Sequence, residues 1–358
     1  MSNVSKSFSA AAWRRLKKNK GALFGLVVIF LAVIVAIFAY FIAPDKTPNA
    51  NRILVEIDGE KPGFKQNFLL VKKARIVKAG FFQQLFTGKE DDYDYIPVTS
   101  FEKKGDSLII QKFIDEDVSE REAWHNSYVS LRPIKNSTFL LGTDSYGRDI
   151  LSRLIVGTRV SLSVGFIAVI ISLSIGLTLG SLAGYFRGRT DNIIMWFINV
   201  IWSIPTLLLV FGITLLLGKG FWQVFIAIGL TMWVNVARLV RSQVMSVREL
   251  EYVEAAKALG YSSARIIIKH ILPNIMGPVI VIAASNFAAA IVIEAGLSFL
   301  GVGVQPPMPS WGLMIKENYN FIITENPMLA LAPGFAIMLL VLAFNLLGNG
   351  LRDALNVR

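Results

Sequence analysis

Residues 250–273 read LEYVEAAKALGYSSARIIIKHILP, a short polar stretch of helical character that separates two long apolar segments. One apolar segment precedes it at about 221–237, and the other follows at about 275–303. Each can supply the roughly 17–25 residues that a helix needs to cross a bilayer. The stretch is therefore predicted to be a folded loop at a membrane surface, between two transmembrane helices.

The loop carries signals for two short helices. Gly260 is placed to end the first helix in a left-handed conformation, and acidic residues occupy its first turns, where the helix dipole favours them. Ser262 or Ser263 can cap the second helix. That helix is expected to end before Pro273, because a proline disfavours helical geometry in the residue that precedes it.

One face of the first loop helix is expected to meet a partner. The residues that share this face, at i, i+3, i+4 and i+7, are Tyr252, Ala255, Ala256 and Leu259. The two alanines are small, so the backbone of a partner can approach closely. The alternative is an ordinary helix–turn–helix loop with no partner.

The whole chain has the composition of a membrane protein. Of its 358 residues, 54% are hydrophobic, and the mean hydropathy is positive. Six apolar segments are long enough to cross a bilayer: about 22–42, 160–185, 193–217, 221–237, 275–303 and 329–350. The predicted fold is an all-α polytopic membrane protein with six transmembrane helices.

Catalytic, cofactor and metal sites have no sequence signal. The chain lacks cysteine, and its two histidines, His125 and His270, lie in different regions. Gly218-Lys219-Gly220 lacks the first glycine and the hydroxyl residue of a phosphate-binding loop. No residue is therefore predicted to be catalytic, to bind a cofactor or to hold a metal, and the chain is not expected to be an enzyme.

Lysine and arginine near the ends of the apolar segments predict the orientation. With the N-terminus inside, the inner pieces hold 16 basic and 5 acidic residues, whereas the outer loop 43–159 holds 18 basic and 17 acidic residues. Both termini are therefore expected in the cytoplasm. The net charge of +11 then faces anionic lipid headgroups, and nucleic acid is not an expected partner.

Three regions follow from this pattern. Residues 1–43 hold a helix on the membrane surface and the first transmembrane helix. Residues 44–137 are polar and charge-balanced, and they predict a β-rich extracytoplasmic insert between helices 1 and 2. Residues 138–358 hold five transmembrane helices and the cytoplasmic loop 238–274.

Local signals within the insert predict strands and turns. The alternating stretches Arg52–Asp58 and Ser107–Phe113 are expected to be strands. Asp58-Gly59 and Lys104-Gly105-Asp106 are expected to be turns.

The helix that leads into the second span is expected to be amphipathic. Its apolar residues are Ile150, Leu151, Leu154 and Ile155. The residues expected to face water or headgroups are Arg148, Arg153 and Arg159.

Two features inside the spans predict how helices pack and bend. Gly176, Gly180 and Gly184 repeat every four residues in the second span, which lets another helix approach closely. Pro205 should kink the third span, because it removes a backbone hydrogen bond.

Glu294 is the one ionisable residue deep in an apolar segment. Counting from about Met276 at about 1.5 Å per residue places it roughly 27 Å along its span, near the outer interface. The sequence allows two roles for this carboxylate: a structural hydrogen bond, or contact with a substrate ammonium group. The candidate pathway residues are Glu294, Asn199, Ser203 and Asn286.

Several of these stretches resemble one family, the permease subunits of bacterial ABC importers. Glu254-Ala255-Ala256, Gly260 and Leu272-Pro273 match the family's coupling loop, although the family prefers an apolar residue where His270 stands. Residues 141–159 resemble the C-type subunit of dipeptide, oligopeptide and nickel transporters. Further matches are Trp202–Pro205, Glu294–Gly301 and Gln305–Gly312. The resemblance covers about 1–43 and 137–358.

This resemblance implies a membrane-spanning subunit of an ATP-driven importer for peptides or similar solutes, in the bacterial cytoplasmic (inner) membrane. Its implied partners are a homologous second permease, two ATP-binding subunits that hold ATP and Mg, an external solute-binding protein and membrane lipid. The implied ATPase-coupling residues are Tyr252, Glu254, Ala255, Ala256, Leu259, Gly260, Leu272 and Pro273.

Two other classes of function stay open on the sequence. A secondary transporter or channel would work without an ATPase, but it would leave the helix at 254–260 unexplained. A membrane-anchored sensor would need one span rather than six. Within the importer class, the solute is a di- or oligopeptide, a peptide-derived antibiotic, a nickel chelate or a sugar oligomer.

Overall fold

A computed structural model describes residues 8–74, 79–115, 118–218, 220–322 and 326–355. Those residues are mostly α-helical and include one small antiparallel sheet. The chain divides into two compact units by its contacts. Unit 1 comprises Met1–Ala32, Ser161–Val304 and Ile337–Arg358, and unit 2 comprises Val33–Val160 and Gln305–Ala336.

The helices of the first half of the chain are α1 (Phe8–Lys18), α2 (Lys20–Ile37), α3 (Ala39–Ile42), α4 (Phe81–Thr87) and α5 (Ile150–Phe186). Those of the second half are α6 (Gly188–Trp202), α7 (Thr206–Leu217), α8 (Phe221–Val247), α9 (Glu251–Ala258), α10 (Ser263–Ile266), α11 (Leu272–Phe299), α12 (Trp311–Asn318) and α13 (Met328–Leu355). A π-helical segment, Ile267–Ile271, joins α10 to α11.

Among the described residues, five helical stretches are long and apolar enough to cross a membrane. A sixth span results if α6 and α7 count as one, but these two helices are bent by 91°. The expected kink at Pro205 is thus a sharp break. Pro205, with φ −55° and ψ 125°, occupies the cap position before α7. It cannot donate the hydrogen bond that would continue α6, and it disfavours helical geometry in the residue before it.

Within unit 1, the glycine repeat of α5 packs closely against α8, as the spacing predicts. A Cβ atom on Gly176 would lie 2.5 Å from Cβ of Val236, and one on Gly180 would lie 2.5 Å from the carbonyl oxygen of Ala237. Gly184 is similarly close to the carbonyl oxygen of Arg241. Any larger side chain at these positions would separate the two helices.

Unit 2 contains a five-stranded antiparallel sheet in the order β4-β3-β2-β1-β5. The strands are β1 (Phe64–Lys72), β2 (Tyr93–Lys104), β3 (Ser107–Asp115), β4 (Val118–His125) and β5 (Val129–Phe139). The predicted strand at Ser107 and the turn at Gly105 are confirmed. The strand predicted over Arg52–Asp58 is wrong, because Val55–Ile57 forms a 3-10 turn whose Ile57 packs with Phe68 of β1.

The expectation that Arg148 and Arg153 face water or headgroups is also wrong. Both side chains are buried in unit 2, at 4% and 0% exposure. Arg148 Nε donates to Asp144 Oδ2 at 2.7 Å, and both arginines donate to Glu317 Oε2, at 2.9 and 3.1 Å. The carboxylates compensate the burial of the guanidinium groups.

The helix predicted to precede the second span is not separate from it. It forms the first turns of α5, which runs without interruption to Phe186. Arg159 is half-buried, and its Nη1 donates to the carbonyl oxygen of Leu85 at 3.0 Å.

Candidate functional site

The first loop helix, α9, ends as the sequence predicts. Gly260 has a φ of +77°, and its N–H donates to the carbonyl oxygen of Lys257 at 2.9 Å. The N–H of Tyr261 donates to the carbonyl oxygen of Ala256 at 3.1 Å. These two bonds form a Schellman motif, in which a left-handed glycine reverses the chain and satisfies the last carbonyl groups.

The buried face of α9 differs from the predicted grouping. Val253 and Ala256 are buried, at 0% and 4% exposure, in a core cluster that also contains Ile271 and Ile275. The opposite side exposes Ala255 and, at 72%, Leu259. Ala256 therefore packs inward, because the apolar side chain of Val253 one turn earlier sets the buried face.

Of the inward residues, the sequence reasoning missed Val253 and assigned Ala256 to the face that meets a partner. Val253 and Ala256 are three positions apart, and they pack in the same cluster as Ile266 and Ile267. That spacing is the signal that could have identified them. Tyr252 and Glu254 are exposed on this helix.

A hydrogen-bonded cluster connects α9 to the start of α11. The Nδ2 group of Asn274 donates to Oη of Tyr252 at 2.9 Å and to the carbonyl oxygen of His270 at 2.6 Å. Partial burial raises the pKa of Tyr252, although the bond from Asn274 opposes this. The cluster holds the loop helix against the membrane-spanning helix.

The second half of the loop continues into α11 instead of ending before Pro273, which is a correction to the prediction. The π-helical segment widens the backbone just before Leu272, and Pro273 lies in the first turn of α11. A proline is tolerated there because its missing N–H has no helical partner in any case. Ser262 occupies the predicted cap position but makes no capping hydrogen bond with its side chain.

His270, the departure from the family pattern, has a local role. Its ring stacks on that of Tyr261, with the two ring centroids 5.9 Å apart. The Arg265 guanidinium also contacts Tyr261, 4.2 Å from the ring centroid. An aromatic side chain therefore fits where the family prefers an apolar one.

Charged contacts connect the loop to α5 and α6. Arg187, just after α5, donates to Glu249, and this bond lowers the pKa of Glu249. Arg241 of α8 forms a bidentate pair with Asp191 of α6. Lys257 lies 5.7 Å from the ring centroid of Tyr185.

Glu294 is fully buried and has a structural contact. Its Oε1 accepts from Ser298 Oγ at 2.6 Å, and Ser298 Oγ accepts from the N–H of Val304 at 3.1 Å. The carboxylate thus supports the turn that follows α11. These bonds lie within α11 and the turn that follows it.

The other candidate pathway residues have different surroundings. Asn286, also on α11, is 5% exposed, and no partner for its Nδ2 is found within the described ranges. Asn199 and Ser203 are exposed near the break between α6 and α7. Arg238 of α8, which the sequence analysis did not select, lies 3.7 Å from the Trp202 ring centroid at the same break.

Two family models match this chain. Residues 176–358 match the model described as "Binding-protein-dependent transport system inner membrane component". Residues 7–54 match "N-terminal TM domain of oligopeptide transport permease C". The first match covers the entire loop and its flanking helices.

The chain is similar to curated permease proteins. It is 33% identical over 350 residues to the dipeptide transport system permease protein DppC of Bacillus subtilis (strain 168), covering 98% of this chain and 86% of the relative. It is 42% identical over 229 residues to the glutathione transport system permease protein GsiD of Pectobacterium atrosepticum, covering 64% and 76%. The first similarity extends through residues 44–136, which the sequence analysis had left outside the family resemblance.

Among solved structures, an inward-facing form of the MetNI methionine ABC transporter aligns with 57% of this chain and 96% of its own chain. The sequence identity is 18% and the TM-score is 0.48.

Proposed function

The chain belongs to the family of binding-protein-dependent transport system inner membrane components, and from this premise we propose that α9 is the element that an ATP-binding subunit contacts. The chain is the membrane-spanning permease subunit of an ATP-driven ABC importer for peptides or similar solutes. It is not an enzyme, because ATP hydrolysis lies in partner subunits of such importers.

The exposed side of α9 carries the proposal. Ala255 leaves room for a partner's backbone, and Leu259 offers an apolar side chain that is 72% exposed. Glu254 adds a carboxylate next to them. Together these three residues form a small surface that a partner's backbone can approach closely, with one apolar side chain and one negative charge.

The inward side of α9 explains how a force on that surface would reach the membrane. Val253 and Ala256 pack in one cluster with Ile271 and Ile275 of the following helix. The bond from Asn274 to Tyr252 adds a polar connection. Movement of α9 would therefore move α11 with it instead of bending a flexible loop.

The proposed assembly contains this chain, a homologous second permease, two ATP-binding subunits and an external solute-binding protein. ATP and Mg²⁺ belong to the ATP-binding subunits, and this chain holds no cofactor. Closure of the ATPase pair would carry α9 with it and switch the pathway from inward-open to outward-open. Solute would then enter from the binding protein.

The chain is a multi-pass protein of the inner membrane. We further propose that both termini and the loop 238–274 lie in the cytoplasm, because the inner pieces carry the excess of basic residues. The sheet of unit 2 would then lie on the external side.

For the solute pathway, we propose a role for Asn199 and Ser203. Both are exposed beside the break at Pro205, between α6 and α7. Asn286 is a further candidate. Glu294 supports the turn after α11 through Ser298, so we assign it a structural role.

The test is a bulky substitution on the exposed face. Ala255→Trp adds volume where the partner would approach, and it disturbs no buried contact because Ala255 is exposed. In the complete complex, ATP-driven uptake and co-purification of the ATP-binding subunits should both fall. Ala74→Trp, at an exposed position in unit 2, is the matched control. Wild-type uptake and co-purification in a stable Ala255→Trp complex would contradict the proposal.

A further inference from the structure

The short helix α4, FFQQLFT at residues 81–87, has an apolar face whose aromatic side chains are largely exposed. Phe81, Phe82 and Phe86 are 62%, 73% and 63% exposed. At 100° per residue these three side chains and Leu85 lie within one side of the helix, and the glutamines lie on the other. The helix is therefore amphipathic, with its aromatic side turned outward.

Contacts within unit 2 place α4 beside the end of the first transmembrane helix. The rings of Phe81 and Phe41 lie 5.6 Å apart. Arg159 donates to the carbonyl oxygen of Leu85, and its guanidinium lies 5.1 Å from the Tyr40 ring centroid.

The chain after α4 is fixed at the same level. The N–H of Lys89 donates to the carbonyl oxygen of Lys46 at 2.8 Å. Gly88 approaches so closely that a Cβ atom there would lie 2.8 Å from the same carbonyl oxygen. Both ends of α4 are thus attached to residues 40–46.

Those residues mark the membrane boundary. The apolar run of α2 and α3 ends at Ala43, and the polar sequence Pro44-Asp45-Lys46 follows. A helix attached here lies at the depth of the headgroups and the first acyl carbons. Phenylalanine and leucine are typical of the apolar face of helices that lie at that depth.

The side chains of the first span are largely exposed as well. Only 11% of its apolar window is buried. Phe38 and Ile42, at 44% and 49% exposure, continue this surface toward α4. A bilayer that surrounds the span therefore also reaches the aromatic side of α4.

We propose that α4 is an interfacial helix whose phenylalanines insert into the phospholipid leaflet on the side of the sheet. The occupant is the acyl-chain and headgroup boundary, into which such helices insert about 5–10 Å. The insertion holds the sheet of unit 2 near the membrane surface. The proposal requires that α2 crosses the bilayer, but not that the ATPase contacts α9.

The test uses the absence of native cysteine. Phe82→Cys and Phe86→Cys are made singly, labelled with an environment-sensitive fluorophore, and reconstituted as the complete transporter in phospholipid vesicles. Phe101→Cys is the matched control, since Phe101 is 52% exposed on β2 and pairs with Ile110 of β3. Uptake by each labelled variant checks that the transporter is folded.

Quenching distinguishes the environments of the label. Lipids with a spin label near the headgroup should quench positions 82 and 86 more strongly than position 101, and aqueous iodide should show the reverse order. Equal iodide quenching at all three positions would overturn the proposal, since α4 would lie in water. Protection at 82 and 86 from both quenchers would overturn it too, since protein would then cover α4. Equal lipid quenching at all three positions would also overturn the proposal. The fluorophore itself would then partition into the bilayer, and α4 would show no membrane contact of its own.

Discussion

At the scale of single residues, Gly260 has a left-handed backbone conformation in open surroundings. Its φ of +77° favours glycine, and no atom lies within 4 Å of the position a Cβ would take. A larger side chain there is opposed by the backbone and not by crowding. The effect of substitution should therefore be local to the turn between α9 and α10.

Gly260→Val should cost about 1–2 kcal/mol locally and displace the second half of the loop. We expect the permease to insert normally, while uptake and co-purification of the ATP-binding subunits fall. Gly260→Asn should restore part of both, because asparagine tolerates left-handed geometry.

Gly105→Val is the matched control, since Gly105 has a φ of +60° and equally open surroundings in the hairpin between β2 and β3. It carries a similar strain far along the chain from the loop. If Gly105→Val and Gly260→Val reduce co-purification equally, the effect is general destabilisation and the coupling assignment fails.

The second prediction at this scale concerns Glu294. Glu294→Gln keeps a carbonyl oxygen that can accept from Ser298 Oγ, so uptake should stay near the wild-type level. Glu294→Leu removes the acceptor and should lower the yield of folded protein, because the buried Ser298 hydroxyl then loses the partner to which it donates. Vesicle uptake and size-exclusion profiles measure the two effects. Loss of uptake in a well-folded Glu294→Gln protein would instead favour contact with a solute ammonium group.

At the scale of elements, the packing of α5 on α8 depends on glycines of α5, which have no side chain. A Cβ on Gly180 would lie 2.5 Å from the carbonyl oxygen of Ala237 and 2.8 Å from Cβ of Val240. Both atoms belong to a rigid helix, so neither can move aside at low cost. Close approach of two helices is one of the main sources of attraction inside a membrane.

Gly180→Val should therefore destabilise the protein by about 1–3 kcal/mol or more, as expected for overpacking. Thermal denaturation in detergent, followed by fluorescence-detected size exclusion, should show an earlier transition. Gly212→Val on α7 is the matched control, because nothing lies within 4 Å of its Cβ position. Equal transition temperatures for the two variants would show that α5 and α8 are not packed as described.

At the scale of the whole molecule, the distribution of charge predicts which side each loop faces. Asp94 in the sheet, Lys316 on α12 and Lys257 in the loop are all exposed, so cysteines introduced there would be accessible to a reagent on the same side. The native chain has no cysteine to interfere.

In intact cells, a membrane-impermeant thiol reagent should label Asp94→Cys and Lys316→Cys but not Lys257→Cys. After the inner membrane is opened, all three should react. Labelling of Lys257→Cys in intact cells would contradict the proposed orientation, because the basic loop would then lie outside the cytoplasm.

Much of the candidate site could be predicted from the sequence because its signals are local. Gly260 ends α9 as predicted, since the left-handed turn depends only on the residue at that position. The membrane-spanning helices follow from apolar length, and the glycine repeat of α5 follows from a fixed spacing. Each of these features is decided by residues within one helix or one turn.

Other features depend on residues far apart in the chain, and only the tertiary structure decided them. The guanidinium groups of Arg148 and Arg153 are buried because Glu317, 169 and 164 residues away, supplies a carboxylate. Val253 faces inward because Ile271 and Ile275 return beside it. The exposed aromatic side of α4 lies at the end of the first span because α4 is attached to residues 40–46. Hydropathy and backbone preference are encoded along the chain, whereas the compensation of a buried charge and the choice of a buried face require a partner that folding brings into contact.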